Sequence, residues 1–248
     1  MIESIIWFLV VIQIQGFVYT VYIHRYKIHQ LISVHPIFEN FCLLLVWLTS
    51  NQIHSEWWAK RTVARHIKHH SYTDTDKDPH SPAFFSLLKM VRWNKAHEPG
   101  GCYYISDDDV KKYGRHVPVD NSWITQKIIK RLPSTTGMVL SSLFLLFMID
   151  SWFVILPIAA VWGLAITSGF LTSWLSHIMG YQNFKEGNNS KNQWPWAVLQ
   201  WGEELHNNHH HNHTYRVRTA TFSEKWYEFD LGYAAIKLLS YVKLVKIH

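Results

Sequence analysis

Cysteine is scarce in this chain: Cys42, in an apolar stretch, and Cys102, in a polar one, are the only two in 248 residues. That excludes a disulfide framework and a cysteine-based metal site. Charge is missing from two long stretches. Ser4 to Tyr22 is nineteen residues without a charged side chain, and from Gly137 to Ser176 the only charge is Asp150. Nineteen residues suffice to cross a bilayer core of about 30 Å, and Asp150 with Ser151 places a tight turn between two further spans. The first apolar run has neither a basic segment ahead of it nor a convincing small-residue cleavage site, so it reads as a mature span rather than a signal peptide. There is also no internal repeat and no low-complexity linker.

What charge there is has a clear placement. All 24 Lys and Arg residues lie in Arg25 to Arg131 or Lys185 to Lys246, outside every proposed span. The positive-inside rule therefore places residues 24–135 and 177–248 in the cytoplasm, and 13 Trp with 12 Tyr suit aromatic belts at the bilayer interfaces. A mean hydropathy of −0.07 hides this contrast between segments. The net charge of +6 is dispersed as on ordinary solvated faces, and nucleic acid is not an expected partner.

Histidine is abundant. Seventeen occur, and nine form a pattern: His24-x-x-x-x-His29, His66-x-x-His69-His70, a solitary His177, and His206-x-x-His209-His210. At this frequency a given H-x-x-H-H arises by chance about 0.08 times in such a chain, and here it occurs twice. Residues three and four apart share a helix face, so each such box turns its imidazoles to one side. The first box differs. Five residues on an ideal α-helix put two rings about 140° apart, so that box is expected to straddle a helix end. His211 and His213 extend the last box and leave its register open from spacing alone, whereas His35, His54, His97, His116 and His248 read as ordinary polar residues.

Nine imidazoles shared by two ions give four or five nitrogens each, more than the four of a structural zinc site. Imidazole suits iron, copper, nickel and zinc alike, but a redox metal beside apolar helices suits oxidation of a lipid chain, chemistry that side chains alone cannot perform. The glutamates and paired Glu-x-x-His motifs of di-iron bundles are not the arrangement seen here. Asp74, Asp78 and Glu203 are instead placed to accept imidazole N–H groups and orient the rings. The stretch from Ile37 to Ile53 is apolar but carries Glu39 and Asn40. If it crossed the membrane, the first two boxes would lie on opposite sides, so it is expected to lie on or dip into the interface and to continue helically through His54, Trp57 and Trp58.

Read together, the boxes, the run TDTDKDPHSP after the second, GEELHNNHH from Gly202 to His210, Lys112-Tyr113-Gly114-Arg115, His177 to Phe184 and Trp226-Tyr227-Glu228-Phe229-Asp230 resemble membrane fatty acid desaturases of the acyl-CoA Δ9 type. The resemblance covers nearly the whole chain from about Gly16. It implies two iron ions held by His24, His29, His66, His69, His70, His177, His206, His209 and His210. It implies insertion of a cis double bond into a saturated acyl chain, carried as acyl-CoA or acyl-lipid, with dioxygen reduced to water. Electrons would come from a separate carrier such as ferredoxin or cytochrome b5, since nothing here resembles a flavin or nicotinamide site. Zinc, favoured over ferrous iron in the Irving–Williams order, is the expected non-native substitute. His80 matches the family outside its ligand positions. Ser173 stands where the family has an asparagine that holds one iron through a water, and of the family's opening pair of spans this chain has room for the second.

Three functional readings follow: a desaturase first, a membrane di-iron hydroxylase or monooxygenase of lipid or alkane substrates second, and a non-catalytic metal-binding membrane protein third. The DPHSP and GEELHNNHH contexts favour the first, and clustering of the histidines at one face disfavours transport through the spans. The expected architecture is a single all-α integral membrane domain over residues 1–248. It has about three transmembrane helices, near 4–22, 136–149 and 152–176, an interfacial helix, and a cytoplasmic helical cap carrying the di-metal site.

Overall fold

A computed structural model describes residues 1–50, 56–86, 98–101, 103–114, 117, 122–168, 174–193, 200–214 and 219–248. Ser173, His54, His97, His116 and Cys102 lie outside the described residues, as do the side chains of Trp57, Trp58 and His213.

The chain opens with helix α1, Ile2–Phe17, which runs without a break into a π-helical segment, Val18–Ile28. Its apolar side chains face outward at Ile2, Ile5, Ile6, Leu9 and Val10, while polar Ser4 and Gln15 are buried. That inversion of the soluble pattern is what a lipid-facing helix requires. Gln15 ties this helix to its neighbours, since its Nε2 donates to Thr49 O and, at 3.1 Å, to Ala160 O.

Strand β1, Ile32–Val34, pairs antiparallel with β2, Val245–Ile247, in the register Ile32 to Ile247. Helix α2, Pro36–Thr49, follows with Pro36 in its first turn and the His35 ring accepting the Ile37 N–H. It runs antiparallel to α1: Glu39 meets Lys27 Nζ at 2.7 Å near its start, and Thr49 reaches Gln15 at its end. This accounts for the charge in an apolar segment, since Glu39 pairs with Lys27 and Asn40 Oδ1 accepts the Ile124 N–H at 2.9 Å. Phe38, Cys42, Leu43, Val46 and Trp47 are buried, while Ile37 and Phe41 are exposed.

Helix α3, Glu56–Tyr72, then packs against α4, Asp107–Tyr113. The short α5, Trp123–Lys127, leads through a 3-10 turn to α6, Thr136–Met148, and a second 3-10 turn, Trp152–Val154, opens α7, Ile155–Ser168. The α1 helix packs on α7, and α2 on α6. A Cβ at Gly137 would lie 2.2 Å from Trp47 O, so only glycine allows the α2–α6 approach. The cap is completed by α8, His206–Thr214, and α9, Leu231–Tyr241.

The chain is mostly helical, as the sequence implies. One helix among the described residues, Ile2–Ile28, is long and apolar enough to cross a membrane. Trp123–Arg131 and Thr136–Met148 pass the same test only as a pair bent by 84°. The thirteen residues of α6 span about 20 Å at 1.5 Å per residue, short of the hydrocarbon core, and the segment expected as a third span includes residues 169–173, which are not described.

Candidate metal centre

The first histidine box is built by backbone winding. His24 and His29 would diverge on an α-helix, but the π segment replaces the i→i+4 ladder by i→i+5, with His29 N–H donating to His24 O at 3.0 Å. The two Nε2 atoms come within 3.0 Å of each other. His29 is the residue that closes this helix, so the box does sit at a helix end. The second and third boxes lie on α3 and α8, each on one face, and His177 ends the 3-10 turn Leu175–His177.

These elements bring all nine histidines into two adjoining groups: His24, His29, His66, His70 and His209, and His69, His177, His206 and His210. In the first, Nε2 separations are 3.1 Å for His24 to His66 and to His209, and 2.9 Å for His66 to His70 and His70 to His209. In the second they are 3.2 Å for His69 to His210, 3.0 Å for His177 to His206 and 3.1 Å for His206 to His210. Two nitrogens at right angles on one ion, each about 2.1 Å from it, stand roughly 3.0 Å apart, whereas tetrahedral ligands stand about 3.4 Å apart. The spacing fits the wider coordination.

Protonation points the same way. Burial, followed by mutual repulsion, holds the imidazoles of His66, His206, His209 and His210 well below their ordinary pKa. Three carboxylates fix the tautomers. Asp78 faces His69 Nδ1 at 2.8 Å, Asp74 faces His177 Nδ1 at 3.0 Å, and Glu203 faces His24 Nδ1 at 2.6 Å. Burial pushes each carboxyl up, but the imidazole partners outweigh it, joined by Arg25 and Thr20 at Glu203, so all three sit below the usual carboxylate range. Thr73 Oγ1, which donates to His69 O, takes the His210 Nδ1–H at 3.2 Å. His69 and His210 therefore meet with bare Nε2 lone pairs, an arrangement that repels unless a cation lies between them.

The remaining candidates are placed as follows. His80 stacks on His69 with ring centroids 4.2 Å apart, and the grouping of His69, Asp78 and His80 reuses a ring whose Nδ1 is already engaged by Asp78. His211 turns away from both groups, stacked flat on Phe184 at 3.6 Å with Nδ1 against Glu186. His248 pairs with Ser33 at 2.7 Å.

Several buried residues packed around the two groups have no signature in the sequence alone. Arg25, between the two histidines of the first box, is fully buried: its Nη2 forks onto Asp230 at 2.9 and 2.7 Å, its Nε donates to Ala220 O at 2.9 Å, and its guanidinium lies 4.0 Å from the Phe222 ring centre. Phe222 in turn packs against His209. Gly202, at φ +99, makes room for this pair, since a Cβ there would lie 2.3 Å from Asp230 Oδ1. Gly202→Ala should therefore lower the folded yield and melting temperature sharply, read by thermal scanning in detergent. A Gly202→Ala protein that melts with the parent would remove this role.

Asn207 and Asn208, on α8 between His206 and His209, join a network with Asn192, Asn183 and Glu228. Glu228 accepts from Tyr181 Oη at 2.7 Å, Asn208 Nδ2 at 2.8 Å and the backbone N–H groups of Glu224 and Lys225. Burial raises its pKa, but these donors prevail and hold it below the usual carboxylate range. A depressed folded pKa adds stability above the unfolded value that is lost as pH falls through the folded one. Glu228→Gln should thus lower the melting temperature at pH 7, and the gap to the parent should close as pH drops below about 4.5. A gap independent of pH would rule out the carboxylate as its source.

Residues 4–235 match the family model described as fatty acid desaturase. The chain belongs to the fatty acid desaturase family. It is 28% identical to the sn-1 stearoyl-lipid 9-desaturase of Anabaena variabilis, over 89% of this chain and 74% of that protein. It is 30% identical to an acyl-CoA 5-desaturase of Anemone leveillei, over 89% of this chain and 64% of that protein. The Delta-9 acyl-lipid desaturase 1 of Arabidopsis thaliana is 26% identical, over 95% of this chain and 72% of the relative. Such membership makes the chain an enzyme that desaturates fatty acyl chains, with histidine groups able to hold the metal on which the desaturase family depends.

Proposed function

We propose that this desaturase is a dioxygen-dependent di-iron enzyme that inserts a cis double bond, at Δ9, into a saturated fatty acyl chain, with electrons from a separate carrier such as ferredoxin or cytochrome b5. The observation that carries the reading is the convergence of nine imidazole Nε2 atoms at 2.9 to 3.2 Å. His24, His29, His66, His70 and His209 would hold one ion, and His69, His177, His206 and His210 the other. Two iron ions so bound would supply the dioxygen activation and one-electron steps that abstraction of hydrogen from a methylene group requires.

The protein's part is positional. Asp74, Asp78 and Glu203 hold the Nδ1–H tautomers, so every lone pair of His177, His69 and His24 points inward without a competing proton. The Arg25–Asp230 fork fixes the helix that presents His24. Desaturation rather than hydroxylation demands that a second, neighbouring hydrogen leave before hydroxyl rebound, an outcome that positional errors near 1 Å change. Curated relatives act at different positions and on different carriers by their names, including acyl-lipid and acyl-CoA. The Δ9 assignment rests on the sequence resemblance.

Three spans, with the active site on the cytoplasmic face, complete the proposal, supported by the outward apolar face of α1 and by charge placement. Single cysteines introduced near residues 2 and 247 should then label from opposite sides of the membrane. Reaction of both from one side would overturn the three-span count. The deciding experiment for function is mass spectrometry of products from a saturated acyl substrate under labelled dioxygen. An unlabelled product two mass units lighter is expected. A labelled hydroxy acid as main product would favour the hydroxylase, and an absence of bound iron in active protein would end the di-iron reading.

A further inference from the structure

The C-terminal stretch presents a surface that neither the metal centre nor the apolar helices use. Between Lys225 and Lys246 both carboxylates turn inward, Glu228 onto Tyr181 and Asn208, and Asp230 onto Arg25. Lys225, Lys237, Lys243 and Lys246 are all exposed. The outward charge of this segment is therefore wholly positive. At the end of α9, Leu238, Tyr241 and the capping residue Val242 follow one another at i, i+3 and i+4, away from the buried Gly232 and Ile236, and are 68%, 76% and 65% exposed. In the turn before the helix Trp226 is 96% exposed.

The surface is continuous with the apolar exterior. After α9 the chain forms β2, where Leu244 O accepts the His35 N–H at 2.8 Å, and His35 caps the helix whose Ile37 and Phe41 are exposed. At this junction lies a cleft of about 670 Å³ lined by Ser33, His35, Ser240, Lys243 and Lys246 among others. An apolar i, i+3, i+4 face flanked by lysines and aromatics is the pattern of a helix lying in a bilayer interface. Exposed lysines near that plane are drawn to anionic lipid.

We propose that Lys225 to Lys246 is an interfacial segment that binds the anionic headgroup surface of the bilayer. Leu238, Tyr241 and Val242 enter the acyl boundary, and Lys243 and Lys246 hold a lipid phosphate at the cleft. The proposal rests on the membrane reading above, and its test separates the two. Full-length protein with Cys42→Ala and Cys102→Ser receives one environment-sensitive label, at Tyr241→Cys on α9 or at Phe147→Cys on α6, where Phe147 is 86% exposed. Each is reconstituted in nanodiscs of phosphatidylcholine alone or mixed with phosphatidylglycerol, with spin-labelled lipid as quencher.

Quenching at position 147 is expected in both lipids. At position 241 it should be roughly threefold stronger in the anionic discs and fall to the neutral level when Lys237, Lys243 and Lys246 are changed to Gln. Quenching at 147 with none at 241 overturns the proposal and leaves the membrane reading standing; none at either position removes both. Equal quenching at 241 in the two lipids overturns the choice of an anionic surface. A response at 241 to inorganic phosphate or ADP in neutral discs would make this a soluble-phosphate site, and a response only to added ferredoxin a protein-docking site. Either result overturns the lipid assignment.

Discussion

His209→Ala should bind at most one equivalent of iron and lose all measurable desaturation, and the same loss is expected at each of the other eight histidines of the two groups. The expectation follows from how little redundancy the geometry leaves. His209 Nε2 lies 3.1 Å from that of His24 and 2.9 Å from that of His70, so its removal opens a cavity in the centre of the five-nitrogen group. Loss of one imidazole leaves a gap that no other described side chain of the group is placed to fill. His211→Ala provides the control, because its ring packs on Phe184 and faces Glu186. That variant should keep both metal equivalents and most activity. Metal analysis on purified protein reads the first effect and acyl-chain profiling in a desaturase-deficient host reads the second. Two full equivalents of iron in a His209→Ala protein, or loss of metal in His211→Ala, would require the ligand set to be redrawn.

The two histidine groups are largely legible because the spacing within the boxes is local. A helix face is set by residues three and four apart, so His66 with His69 and His70, and His206 with His209 and His210, announce shared faces in the sequence. The first box shows the limit of that reasoning. Its spacing of five is incompatible with a face of an α-helix, and the expected resolution, a helix end, is half of what the chain does. The helix also changes its winding to i→i+5 over Val18–Ile28, a largely buried segment, and so rare a winding has no signal in helix propensity. A full span at α6 is expected from an absence of charge alone, and such a run carries no information on where a helix bends or stops. The Arg25–Asp230 pair is hidden for a different reason: its partners are 205 residues apart, and a single sequence records no pairing at that range. Asn207 and Asn208 are visible only as spacers between histidines, although the Asn208 side chain ties α8 to Asn192 and Glu228 and that of Asn207 reaches Ser190.

Breaking that long-range pair should have the largest effect of any change outside the nine histidines. Arg25 has no exposed surface and Asp230 almost none, and the fork between them is closed by Ala220 O, Thr20 and the backbone N–H groups of Phe222 and Tyr233. Burial raises the Asp230 carboxyl above its ordinary pKa, and Arg25 with those two N–H groups opposes the rise. Removing one partner leaves the other charged group dry and unpaired, at a cost of about 3–5 kcal/mol. Asp230→Ala and Arg25→Ala should each fail to accumulate as folded protein or melt far below the parent. The double change Arg25→Met with Asp230→Leu should recover only part of that loss, since it removes the unpaired charge but leaves Ala220 O and the N–H groups of Phe222 and Tyr233 without their partners. Iron binding reports separately on whether the pair positions the first box. If it does, the folded double variant should hold less iron in the five-histidine group, because an apolar side chain at position 25 cannot fasten the π segment to the start of α9 as the fork does. A double variant with parental stability and two full iron equivalents would show that the pair is dispensable for both. Single variants that melt with the parent would show that the charges reach water in the folded protein, contrary to the burial of both side chains.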